Sequence, residues 1–400
     1  MIAKNHISKN IFNKKTTKKL KEDFNKIFNQ ILADITTSGK TLNVLNKDFI
    51  FNFKQKDLNK FRKFKSIAVI GMGGSILGTE AIHNFLGEKI KKKVYFFNDL
   101  NIENIINFKK KENLDKTLIL IISKSGNTIE TISNAFLLKT IKKKSKNVII
   151  ISEQKNNFLY NLSRKNNLFY IEHKNYIGGR YSVLSEVGMV PTYLMDLNAK
   201  KLRAHTLKYL RGKNKKFLQE STIKLSKLLT LNKISNIVFL NYFPKLEKFL
   251  FWCQQLIAES LGKRGKGFFP IVSNVPKDHH SLLQLYLDGP KDKIFYIFSH
   301  NEIFKEKINI SRFTNEKSLL NKKKINEVKN AQKKALIEVL KLKKIPFREF
   351  EINKINEQAL GELFSYFMLE TVIIGKLSRI NPFDQPAVEQ IKNYTKKFLS

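Results

Sequence analysis

Apolar and polar positions fall into short blocks along most of this chain. The segments SIAVIG (66–71), KVYFFND (93–99), TLILIIS (117–123), NVIIIS (147–152) and LFYIEH (168–173) are apolar almost throughout. Short runs rich in Ile, Val and Phe fit strands buried on both faces. Between several of them lie longer stretches such as TIETISNAFLLKTIKKK (128–144), whose apolar residues recur at helical spacing. This alternation predicts an α/β fold, a mainly parallel sheet covered by helices on both faces. The rhythm pauses at MVPTYLMDLNAKK (189–201). It resumes with NIVFLNY (236–242), IFYIFSH (294–300) and FREFEI (347–352), which read as strands of a second sheet. NEQALGELFSYFMLETVIIGKLSRI (356–380) is densely apolar and predicts a buried helix. Residues 1–50 read as a polar, partly helical lead-in.

Four hundred residues exceed what one compact core usually serves, so two domains are expected. The single cysteine, Cys253, leaves no internal disulfide and points to a reducing cytoplasm. No apolar run approaches the roughly 20 residues that cross a bilayer, so no membrane role is expected. The N-terminal MIAKNHISKNIFNKKTTKKL is basic, but it lacks both the apolar centre of a secretory signal and any arginine.

Charge changes the picture less than its size implies. Lys and Arg number 74 against 34 Asp and Glu, a net charge of +40, which alone would point to nucleic acid. The positive residues are spread along the whole chain and no reading module accompanies them. No specific nucleic-acid partner is expected, although the charge would attract a phosphorylated substrate.

Two loops carry candidate chemistry. In GMGGSILG (71–78), Gly71 and Gly73 begin a dinucleotide fingerprint, but Ile76 stands where its third glycine belongs. Asp99, at the end of the next strand, keeps a dinucleotide reading open. Gly73, Gly74 and Ser75 at a helix start suit a small anion, or only a tight turn. In SKSGNTIET (123–131), Ser123, Ser125 and Thr128 place hydroxyls around Gly126, before a helix expected from about Asn127. Free N–H groups and the helix dipole would complete a phosphate site. A Ser/Thr-rich cap is the plainer alternative. Two such loops at the strand ends of one sheet favour ligand binding.

The pair GMGGSILG and SKSGNTIET resembles the sugar isomerase (SIS) domain. GGRYSVLSEVGMVP (178–191), QQLIAESLGKRGKGFFP (254–270), DHHSLLQ (278–284) and NPFDQPAVEQIK (381–392) narrow the resemblance to the phosphoglucose isomerase family. It covers the chain from about residue 65 onward and implies two SIS-type αβα sandwich domains, with helical N- and C-terminal segments. The expected boundaries are a lead-in at 1–50 packing on the second domain, a first SIS domain at 51–200, and a second at 201–400. The implied activity is reversible isomerisation of glucose 6-phosphate and fructose 6-phosphate, without cofactor. A non-catalytic sugar-phosphate-binding module is the alternative.

Aldose–ketose isomerisation needs a base, a cation for the enediolate oxygen, and an acid that opens the ring. Glu259 is the candidate base, four residues after Gln255 on a predicted helix and so on the same face. By resemblance, Arg180 stabilises the enediolate, while His280 and Lys392 open the ring. Gln284, four residues after His280, fixes the register, and His279 is the neighbour. Gly74, Ser75, Ser123, Lys124, Ser125, Thr128, Gly179, Gln255 and Gln385 are the expected substrate- and phosphate-binding residues. No zinc spacing is present, so no metal is expected. The resemblance also implies a homodimer in which the catalytic histidine reaches the partner's site.

Overall fold

The structure is a computed structural model of the chain. It describes residues 1–7, 14–301, 304–311, 313 and 318–400, without the side chains of 14–17.

Strand β1 (Ile2–His6) opens the chain and belongs to the second sheet. The first sheet holds β2 (Ser66–Gly71), β3 (Lys93–Phe97), β4 (Thr117–Ile122), β5 (Val148–Ser152) and β6 (Phe169–Glu172), all parallel, in the order β3-β2-β4-β5-β6. These are the five strands expected from the apolar runs. Every residue of β2, β4 and β5 is buried, as a sheet covered on both faces requires. The chain leaves β2 toward β3 on one side, while β4 lies on the other. The crevice beyond the ends of β2 and β4 is therefore a topological switch point, where open α/β sheets bind ligands. Gly71 stands beside Ile122 in the register, so the loops after both strands emerge side by side there.

The second sheet adds β7 (Asn236–Asn241), β8 (Phe269–Asn274), β9 (Lys293–His300) and β10 (Phe347–Ile352), in the order β1-β10-β9-β7-β8. Two of its strands depart from the sequence reading. Ile2–His6 is not part of a helical lead-in but an antiparallel edge strand on β10. Its anchors are polar: His6 Nε2 lies 2.7 Å from Glu349, and Arg348 Nε donates to Asn5 at 2.8 Å. Strand β8 contains Pro270 and leaves Phe269 exposed, features that hide a strand in sequence yet are tolerated at a sheet edge.

One apolar core runs continuously through both halves. Helix Glu247–Leu261 joins them by packing on helix Leu77–Leu86 of the first half. Helix Lys14–Thr36 packs on Gly212–Leu231 and on the buried helix Glu357–Leu377. Within this second half Arg348 is fully buried, and its guanidinium pairs with Glu370 at 2.8 Å. A second buried cation, Arg203, donates to the carbonyls of Val44, Leu184 and Asn46. It ties the early turn Thr41–Leu45 to the turn Gly179–Leu184, which carries Arg180. The last helix, Val388–Leu399, is exposed along its whole length, with Ile391, Tyr394 and Phe398 uncovered.

Candidate active site

Three hydroxyls gather at the mouth of the first sheet. Ser123 Oγ lies 2.8 Å from Thr128 Oγ1, and Ser125 Oγ lies 3.4 Å from the same atom. They precede helix Ile129–Leu137, which begins two residues later than the sequence reading placed it. Thr128 is its N-cap in extended conformation and makes no side-chain cap bond, so the hydroxyl loop runs straight into the helix N-terminus with its unpaired first N–H groups. That is a suitable setting for a dianion. Gly126 serves a neighbour here: at φ +68° its missing Cβ would lie 1.8 Å from Asn157 Oδ1.

Beside this loop, Gly73–Ser75 forms one 3-10 turn. Ile76 is fully buried where a dinucleotide fingerprint would need its third glycine. The Asp99 carboxylate accepts from the next N–H, that of Leu100. Gly74 meets the turn that holds Gly179. A Cβ on Gly74 would sit 2.2 Å from the Gly179 carbonyl carbon and 2.5 Å from the Arg180 nitrogen. Gly73 faces Gln255, whose Nε2 would be 2.7 Å from a Cβ there. Thus the two glycines bring the first strand's loop against both the arginine turn and helix Glu247–Leu261.

On that helix, Gln255 Nε2 donates to Glu259 Oε1 at 2.9 Å, the i,i+4 relation expected from sequence. The other carboxylate oxygen, Oε2, accepts from Arg180 Nη1 at 3.1 Å. Arg180 is 2% exposed, whereas the Glu259 side chain keeps 29%. The same Nη1 donates to Gln385 Oε1 at 2.7 Å. Arg180 Nε donates to Ser260 Oγ, whose hydroxyl also lies 2.8 Å from the Tyr181 OH. A permanent, buried cation is thus held against a carboxylate that solvent can still reach.

Lys124 is drawn toward Glu153 at 3.6 Å, and Glu153 also pairs with Lys155. Burial pushes the Lys124 ammonium below the usual lysine range, with the positive charges of Lys155 and Arg180 adding to it and Glu153 opposing. Beneath them His173 is buried, held down to about 4 chiefly by burial.

The structure therefore brings together Gly74, Gly179, Arg180, Gln255, Glu259 and Gln385, and places the hydroxyl loop at the adjoining strand end. Ser75 is buried in the neighbouring turn. His280 and Lys392 bond to none of these residues within this chain. His280 is exposed on helix His279–Asp288, and Lys392 is exposed on the terminal helix, paired with Glu389 at 2.7 Å. His279 rather than His280 turns inward, 3.3 Å from the Tyr242 OH. Sequence reasoning missed Tyr181, Ser260, Lys263, Glu153 and His173. Ser260 and Lys263 sit in the same AESLGK motif as Glu259, and Glu153 follows a strand end as Ser123 does.

The model of the family described as phosphoglucose isomerase matches residues 34–400. The chain belongs to the phosphoglucose isomerase family. A probable glucose-6-phosphate isomerase of Methanococcus maripaludis is 32% identical over 391 residues, covering 93% of this chain and 87% of that protein. A hypothetical protein of Thermus thermophilus has a solved structure similar to this fold. Its TM-score is 0.79 at 25% identity, and the match covers 94% of each chain. A glucose-6-phosphate isomerase structure from Chlamydia trachomatis shares the fold at TM-score 0.67 and 19% identity, covering 85% of this chain and 71% of that one. The family's fold, two mainly parallel sheets sandwiched by helices, is the one expected from the strand–helix rhythm. Among the described residues, no helix is long and apolar enough to cross a membrane.

Proposed function

We propose that this protein interconverts D-glucose 6-phosphate and D-fructose 6-phosphate, a step of glycolysis and gluconeogenesis, by ring opening and proton transfer through a cis-enediolate. The observation carrying the reading is the 3.1 Å approach of Arg180 to Glu259 beside a hydroxyl-lined helix start. A base next to a fixed cation is what proton abstraction beside a carbonyl requires.

The phosphate is held by Ser123, Ser125, Thr128 and the Ile129–Leu137 helix N-terminus, with Lys124 adding charge. Ser75, Gly74 and Gly179 line the sugar, and Gln255 and Gln385 orient it. Glu259 moves the proton between the first two carbons, while Arg180 neutralises the enediolate oxygen. His280 and Lys392 open the ring. These steps are proton transfers, so no cofactor enters them.

The protein acts as a homodimer in the cytoplasm, with His280 completing the site of the partner subunit. Two observations support this: the His280 side chain is exposed and bonds to neither Arg180 nor Glu259, and the terminal helix leaves apolar residues uncovered. Residues 51–200 and 201–400 form its two SIS units; within 1–50, the strand Ile2–His6 and helix Lys14–Thr36 belong with the second, while the turn Thr41–Leu45 packs on the first.

The test is a coupled fructose 6-phosphate to glucose 6-phosphate assay on purified protein. Turnover is expected and should be unchanged by EDTA. Tight binding of 6-phosphogluconate without turnover would mark a sugar-phosphate-binding module instead.

A further inference from the structure

A guanidinium carries five N–H groups, and in this structure all five of Arg180 are committed. Nε donates to Ser260, Nη1 to Glu259 and Gln385, and Nη2 to the carbonyls of Pro382 (2.7 Å) and Asp384 (2.9 Å). Three of the five therefore go to residues 382–385. No donor remains for a substrate oxygen until one partner withdraws. Of the two carbonyl bonds of Nη2, the one to Pro382 is fully buried and would be costly to break, and the one to Asp384 is partly buried. Gln385, by contrast, is an exposed side chain that water can satisfy. Nη1 is thus the nitrogen that faces substrate, and Gln385 is the partner it exchanges.

That exchange removes one of the bonds holding the 381–385 segment to the rest of the protein. A second cation is placed to keep the segment where it is. Lys263 Nζ donates to the Asn381 carbonyl and pairs with the Asp384 carboxylate at 2.7 Å. Its side chain is only 11% exposed. Its own backbone is fixed by a bridge to Lys266 in the turn that ends helix Glu247–Leu261. Asp384 is consequently held from two sides, its carbonyl by Arg180 and its carboxylate by Lys263. The lysine lies four residues after Glu259, so one short stretch supplies both the base and the clamp.

We propose that Lys263 is a positioning residue for the isomerisation. It clamps segment 381–385 through Asn381 and Asp384, so that Gln385 can yield Arg180 to a substrate oxygen without release of the segment. The proposal rests on the isomerase reading above. It concerns the rate of the chemical steps rather than initial capture of substrate, because Lys263 contacts the segment and not the hydroxyl loop.

The experiment is steady-state kinetics on the native full-length protein and on Lys263→Met, Asp384→Asn, their double variant and Lys263→Arg, with thermal melts of each. An inactive native protein would refute the isomerase reading, and the variants address the clamp alone. In the two single variants kcat should fall about tenfold or more, with KM for fructose 6-phosphate changed less than about threefold. The double variant should be no worse than the poorer single one, since both break one clamp. Lys263→Arg, which keeps the charge and both donors, should recover most of kcat. Native kcat in Lys263→Met overturns the proposal. So do multiplicative losses in the double variant, or a kcat loss in Lys263→Met that arginine does not restore. Should Lys263→Met not fold, Asp384→Asn decides alone: an unchanged kcat there overturns the clamp, and a lowered kcat at native KM supports it.

Discussion

Arg180 Nη1 and Glu259 Oε2 lie 3.1 Å apart, the arginine buried and the carboxylate still open to solvent. The pair joins the two halves of the molecule. Arg180 comes from the turn that follows the first sheet, and Glu259 from a helix of the second half. Substrate chemistry placed at their meeting point depends on how accurately those halves are held together.

Gly74 sets that accuracy. A methyl group there would lie 2.3 Å from the Gly179 carbonyl oxygen and 2.5 Å from the Arg180 nitrogen, both backbone atoms that cannot swing aside. Gly74→Ala should cost about 1–3 kcal/mol of stability, as overpacking does. Because it displaces the arginine turn, it should also lower kcat by about 100-fold. Thermal melts and the coupled assay check both. Native values for each would mean that the turns have room to separate.

His173 gives a pH dependence. Its ring is buried and held down to about 4, with Lys124 and Glu153 as its charged neighbours and the Lys174 carbonyl bonded to Nδ1. A histidine released by unfolding titrates near 6.5. The unfolded chain thus takes up the proton first as pH falls. The associated stability is fully present above about 6.5 and is lost as pH drops toward 4. The full loss amounts to about 3 kcal/mol. Urea melts of the native protein and of His173→Gln should diverge in pH slope across this window. Equal slopes would mean that His173 is protonated in the fold.

His280 is exposed and bonds to neither member of the Arg180–Glu259 pair, which makes a third expectation. If His280 serves the partner's site, His280→Ala and Glu259→Gln subunits are each inactive alone. After mixing and re-equilibration they should regain about a quarter of native activity, because half of the dimers carry one intact site. No recovery, with subunit exchange verified by mass, would place the histidine in its own subunit's site or outside the chemistry.

Much of this was legible in the sequence, and the exceptions share a physical cause. The first sheet's strands are buried on both faces, so their apolar runs stand out. Strands β1 and β8 are edges, half exposed and carrying polar residues or proline, and a local pattern cannot distinguish them from loops. The hydroxyl loop and the Gln255–Glu259 spacing could be read because both are local. The reason for Gly74 and Gly126 could not. Their sequence setting implies room for a ligand, whereas the space is taken by the Gly179 backbone and the Asn157 side chain. The same holds for Ser260, Tyr181 and Lys263. They act on residues 79 to 201 positions away, through contacts that only the folded chain creates.

The most direct measurement is exchange of the substrate's C2 hydrogen with solvent in Glu259→Gln, followed by NMR in deuterated water. The amide keeps the shape and one acceptor oxygen for Arg180, turning its NH2 toward Gln255, but it cannot take a proton. Exchange and isomerisation should both fall by about 10²–10⁴-fold or more, while the melting temperature stays near native. Exchange at the native rate in a folded Glu259→Gln protein would contradict the assignment of the base, and with it the account of this site.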